Sequence, residues 1–112
     1  MFRLSLNNSV SGRSVFSIYA TRKACNEAIT ELTNELVNLY KYYRFLGGST
    51  CSASLLKRNQ SRMHLSLYDS AEIDNVFCSV DIQVSKLGND TPLYACHYTA
   101  SDLAYYLVNF NK

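Results

Sequence analysis

A chain of 112 residues has room for one hydrophobic core and not two, and 47% apolar against 18% charged side chains is the balance of a globular chain. A net charge of +2 gives no compositional push toward nucleic acid or acidic membranes, and no apolar run approaches the length that crosses a bilayer. Residues 1–10 lack the apolar stretch of a secretory signal, so the expectation is one cytoplasmic domain over residues 1–112. Its Cys25, Cys51, Cys78 and Cys96 are then free thiols.

Phe2, Leu4 and Leu6 alternate with Arg3, Ser5 and Asn7, the period-two pattern of a half-buried strand. Small polar residues and Gly12 then suit a hairpin turn, and residues 14–20 read as a second strand. That strand carries Phe16 and Ile18 on one face and Val15, Ser17 and Tyr19 on the other.

From Thr21 the period changes. Cys25, Ile29, Leu32, Leu36, Leu39 and Tyr43 recur at steps of four and three, one apolar stripe along a helix. Glu27, Glu31 and Glu35 fall on another face of it. Thr21 is placed to cap the N-terminus, Lys41 and Arg44 complement the helix dipole at the other end, and Gly47 with Gly48 supplies a stop.

Residues 50–62 are polar, basic and irregular apart from Leu55 and Leu56. Three strands are expected after them. Met63, Leu65 and Leu67 alternate with His64, Ser66 and Tyr68, and residues 76–84 alternate more cleanly still. A Gly-Asn-Asp turn precedes a third strand over residues 93–98. Thr99 and Asp102 then have capping-box spacing, followed by a short helix with Leu103, Tyr106, Leu107 and Phe110. The fold expected is α+β in the order β-β-α-β-β-β-α, an antiparallel sheet with one long and one short helix on one face.

No motif with a chemical mechanism emerges. Cys51, His64, Cys96 and His97 are the soft ligands that would have to converge on a metal, but the one close pair, Cys96-His97, points to opposite faces of a strand. Asp69, Glu72 and Asp74 form an acidic turn without the spacing of a calcium loop. Four Cys, two His and several Asp could make a Cys-His-Asp set, but no local signature supports one. The reading is therefore no enzyme, no cofactor and no metal.

The segment from Thr21 to Lys112 resembles a double-stranded-RNA-binding domain in its α-β-β-β-α order of elements. That family grips phosphate with lysines at the start of its last helix, whereas Ala100, Ser101, Asp102 and Leu103 stand there in this chain. The resemblance therefore implies the layout without the grip.

Nine tyrosines and no tryptophan are the one skew in composition. Tyr19, Tyr42, Tyr68, Tyr94, Tyr98 and Tyr105 all fall away from the expected core, and Tyr brings large apolar area and a hydroxyl to interfaces. Phe77, expected to point outward beside Tyr68, joins them. The first functional expectation is a non-enzymatic module that binds a larger protein or complex. Its contacts would be Tyr68, Phe77, Tyr94 and Tyr98 on the open sheet face, or Glu27, Glu31 and Glu35 on the helix. Such a module would suit an inhibitor of a host machine encoded by a virus or mobile element, an anti-CRISPR or similar anti-defence protein. The second expectation is a nucleic-acid binder using Arg22, Lys23, Lys41, Arg44, Lys57, Arg58 and Arg62. The third is a homodimeric structural or accessory protein.

Overall fold

The computed structural model describes residues 1–44, 51–88 and 96–108, with backbone alone for 42–44. The elements are β1 (Phe2–Asn8), β2 (Arg13–Tyr19), α1 (Arg22–Arg44), β3 (Cys51–Lys57), β4 (Arg62–Asp69), β5 (Val76–Lys86) and α2 (Ala100–Val108). All five strands join one antiparallel sheet in the order β2-β1-β5-β4-β3, with both helices on one side. The expected fold class and element order hold.

Alternation decides which face is covered. Leu4, Leu6, Met63, Leu65, Leu67, Val80, Ile82 and Val84 project toward the helices and are buried. Their neighbours Arg3, Ser5, Asn7, Arg62, His64, Ser66, Asp81 and Gln83 face away from the helices. Cys25, Ile29, Leu32, Leu36 and Leu39 of α1 close the core from above, as the stripe predicts. Tyr43 of that stripe and the stop at Gly47 and Gly48 lie outside the described residues. Leu103, Ala104, Leu107 and Val108 of α2 complete the core.

The ends are built as their residues dictate. The Thr21 hydroxyl accepts from the Ala24 amide at 3.1 Å, and the Thr99 hydroxyl from the Asp102 amide at 3.1 Å. Gly12 closes the β1–β2 hairpin with φ of 75°, a value that side-chain-bearing residues seldom adopt. Beside it Asn8, fully buried, donates to the Leu107 carbonyl at 2.9 Å and accepts from the Val10 and Ser79 amides. One amide side chain thereby ties the last turn of α2 to two strands.

Several expectations fail at the level of elements and side-chain direction. The chain between α1 and β4 is not irregular: residues 51–57 form β3, the sheet edge. Its inner face meets α1 at Cys51, which is buried, but further along the strand Ala53 and Leu55 are exposed and no alternation of polarity marks it. Residues 93–95 of the expected last strand lie outside the described residues, and residues 96–98 are not strand. Tyr19 is a core residue at 7% exposure, because it pairs with Phe2 on the helix-covered side.

Phe77 is also inside. The β4–β5 register slips between Leu67 and Tyr68, with Leu67 opposite Cys78 and Tyr68 opposite Val76. Phe77 is thus the extra residue of a β-bulge, which turns it to the same side as Cys78. It is 8% exposed and stacks on Tyr40 with centroids 5.7 Å apart, while the Tyr40 hydroxyl donates to the Phe77 carbonyl at 2.9 Å.

Candidate functional site

The open face of the sheet is polar and holds one hydrogen-bonded relay. Ser79 and Asp81, two residues apart on β5, project to this face opposite His64 of β4. Asp81 Oδ1 lies 2.7 Å from His64 Nδ1, and His64 Nε2 lies 2.9 Å from Ser79 Oγ. With a neutral imidazole, Nδ1–H donates to the carboxylate and Nε2 accepts from the hydroxyl. That connectivity matches a hydrolytic triad. The surroundings differ from one, because the Ser79 amide is committed to Asn8 Oδ1 at 3.3 Å and its carbonyl to the Ser9 amide at 2.9 Å. A tetrahedral oxyanion needs free donors beside the nucleophile, and the ladder around Ser79 uses its own.

The basic residues divide between the two ends of the molecule. Arg22 donates to the Gln60 carbonyl at 2.7 Å, which places the start of α1 against the β3–β4 turn. Lys23, Lys57, Arg58 and Arg62 belong to that same end. Arg3, which pairs with Ser85, adds to it from β1. Arg3, Arg58 and Arg62 line a depression of about 540 Å³ whose floor includes Asp81 and Gln83. Lys41 sits near Cys51 and Asp69 at the other end, so the seven cations do not gather in one place. The side chain of Arg44 lies outside the described residues.

A second depression of about 540 Å³ runs between β2 and α2, lined by Ser14, Val15, Phe16, Cys96, Tyr98, Asp102, Leu103 and Tyr106. Tyr98 and Tyr106 are 45% and 44% exposed on its rim. The Arg13 guanidinium lies 4.9 Å from the Tyr106 ring centroid, and that of Arg3 lies 4.0 Å from the Phe16 ring. Ser14, Val15 and Phe16 of β2 line both depressions. The residues 96–98 that form one wall are held by the Tyr98 amide donating to the Ser17 hydroxyl at 2.9 Å. The Tyr19 hydroxyl also donates to the Tyr98 carbonyl at 3.4 Å.

Of the residues expected at a protein interface, Tyr98 lies on this groove and Tyr68 is half-buried on the open sheet face. Phe77 is in the core and Tyr94 lies outside the described residues. Glu27 and Glu31 are exposed on α1 and Glu35 is half-buried. The aromatic cluster expected on the open sheet face loses Phe77 to the core; among the described residues Phe16, Tyr98 and Tyr106 line the β2–α2 groove instead. Tyr106, Phe16 and Arg13 were the residues missed. The nine-residue length of α2 hides the signal: the buried set Ala100, Leu103, Ala104, Leu107 and Val108 leaves Tyr105 and Tyr106 on the opposite side.

Cys25, Cys51 and Cys78 are buried, whereas Cys96 lines the groove. Burial pushes Cys25 up to about 11 and Cys78 up to about 12, and raises Cys51 and the Tyr19 phenol as well. Among the described residues no three His, Cys, Asp or Glu side chains gather in a way that would hold a metal ion, and no helix is long and apolar enough to cross a membrane. No protein-family model, curated protein or solved structure matches the chain. The α1-β3-β4-β5-α2 order is the one noted for double-stranded-RNA-binding domains, and exposed Asp102 stands at the start of α2 where that family presents lysines.

Proposed function

We propose that this chain is a non-enzymatic protein-binding module that docks on a larger protein through the groove between β2 and α2. The observation that carries the reading is the group Tyr98, Tyr106 and Phe16 around that groove, with Arg13 against one ring and Asp102 at the rim. Tyrosine and arginine around an apolar centre are the composition of interface hot spots, and a charged surround orients the partner. The groove is built on a strand, a helix and a hydrogen-bonded wall, so little conformational entropy is lost when it is covered. A domain of this size that acts by covering a partner's surface suits an inhibitor, including an anti-defence protein of a virus or mobile element.

The test is a titration with the partner captured from host lysate. The double variant Tyr98→Ser/Tyr106→Ser is expected to weaken binding at least about 30-fold, the effect of losing about 2 kcal/mol of hot-spot contact. Unchanged affinity in a folded double variant contradicts the groove.

A second reading, nucleic-acid binding, is favoured by the gathering of Arg3, Arg22, Lys23, Lys57, Arg58 and Arg62 at one end. Asp81 on the floor of that depression opposes a phosphate backbone, which is why protein docking is preferred. Capture that vanishes with nuclease and falls steeply with salt would reverse the order.

A further inference from the structure

The two edges of the sheet differ. Along β2, residues 96–98 close the edge, with His97 Nδ1 3.0 Å from the Ile18 carbonyl and the Tyr98 amide on the Ser17 hydroxyl. Along β3, no segment among the described residues pairs with the outer edge. Between Cys51 and Leu56 this strand has no proline, no charge and no bulge, the devices that keep an edge from pairing. Leu55 and Leu56 are 38% and 59% exposed on its two faces.

The backbone of that edge is ordered for pairing. The Arg58 amide donates to the Arg62 carbonyl at 3.0 Å and closes the β3–β4 hairpin. Bonded and non-bonded pairs alternate along an antiparallel ladder. Leu56, Ser54 and Ser52 are therefore bonded to β4, and Ala53, Leu55 and Lys57 direct their amide and carbonyl groups into the open edge.

We propose that a second copy of this chain fills the edge, β3 against β3 in antiparallel orientation about a two-fold axis at Ser54, joining the two sheets into one. In that register Ala53 meets Leu55 of the second copy, and the outward backbone groups of each strand meet those of the other. Charge selects both the occupant and its direction. β3 runs from the Asp69, Glu72 and Asp74 turn toward Lys57, Arg58 and Arg62. Antiparallel pairing brings the basic end of each copy beside the acidic turn of the other, about two strand spacings or ~10 Å apart, on the order of the Debye length. Lys41, near Cys51, offsets part of the acidic charge. Parallel pairing would set like charges together. The interface uses neither the groove nor its tyrosines, so it stands apart from the docking function.

Sedimentation equilibrium of the full chain at low salt is expected to show a dimer that weakens as salt rises. Leu55→Pro removes an amide that points into the open edge rather than to β4, and is expected to give a folded monomer by circular dichroism. Lys57→Glu/Arg58→Glu is expected to be monomeric alone and to form a heterodimer when mixed with Asp69→Lys/Glu72→Lys. A wild-type chain still monomeric near ~1 mM overturns the proposal. So does a dimer indifferent to Leu55→Pro or to both charge reversals.

Discussion

Phe77 owes its place to one extra residue in β5. Strict alternation from Cys78 would send its ring outward, and the slip opposite Tyr68 sends it inward against Tyr40. A bulge leaves no trace in a polarity pattern, because the inserted residue here is itself apolar; Tyr68, unaffected by the slip, stays on the face that alternation gives it. Phe77→Ala is therefore a stability variant, expected to lower the unfolding free energy by about 3–5 kcal/mol in urea denaturation. A loss under about 1 kcal/mol would mean that the ring is not packed in the core. His64, Asp81 and Ser79 make a different residue-scale case. Their shared face was legible from strand alternation, but their register across β4 and β5 was not. Because the Ser79 amide already donates to Asn8 Oδ1, it is not free to stabilise an oxyanion formed beside this serine. A fluorophosphonate probe is expected to leave Ser79 unmodified, and labelling that His64→Ala abolishes would establish a working triad.

At the scale of elements, legibility tracked burial. α1, β1, β4 and β5 each have one covered face, and their periods announce it: Leu4 and Leu6, Leu65 and Leu67, Val80 and Ile82, and the Cys25-to-Leu39 stripe are all buried. β3 is covered only at Cys51. Ala53, Ser54, Leu55 and Leu56 are exposed and form a strand because β4 supplies a partner, so tertiary pairing overrides a sequence that reads as loop. The groove was legible in part. Tyr98 was singled out for lying off the core, but its neighbours depend on how residues 96–98 fold along β2 and on which side of α2 is buried, and neither follows from spacing. Tyr106 read as part of an apolar helix stripe and instead stands on the groove rim.

At the scale of the whole molecule, buried thiols and a buried phenol set the response to alkali. Cys25 and Cys78 keep their protons to about 11 and about 12 in the folded chain, against an ordinary value of 9.0, and Cys51 and Tyr19 shift the same way. The unfolded chain releases these protons at lower pH than the folded one. Their contribution is thus fully present below pH 9 and is lost as the pH rises through about 11 to 12. Urea midpoints are expected to fall across that window; a midpoint constant from about pH 8 to about pH 11 would show the thiols to be solvent-accessible.

The molecule also separates its surfaces. The tyrosine groove between β2 and α2 lies apart from the basic residues 57–62 at the β3–β4 turn, so occupancy of each leaves its own footprint. Hydrogen exchange of the chain with and without its captured partner reads that footprint directly. The docking proposal requires slowed exchange in β2, residues 96–99 and α2, with little change at residues 57–62. Protection centred on residues 57–62 and the start of α1, with β2 and α2 unchanged, would contradict it.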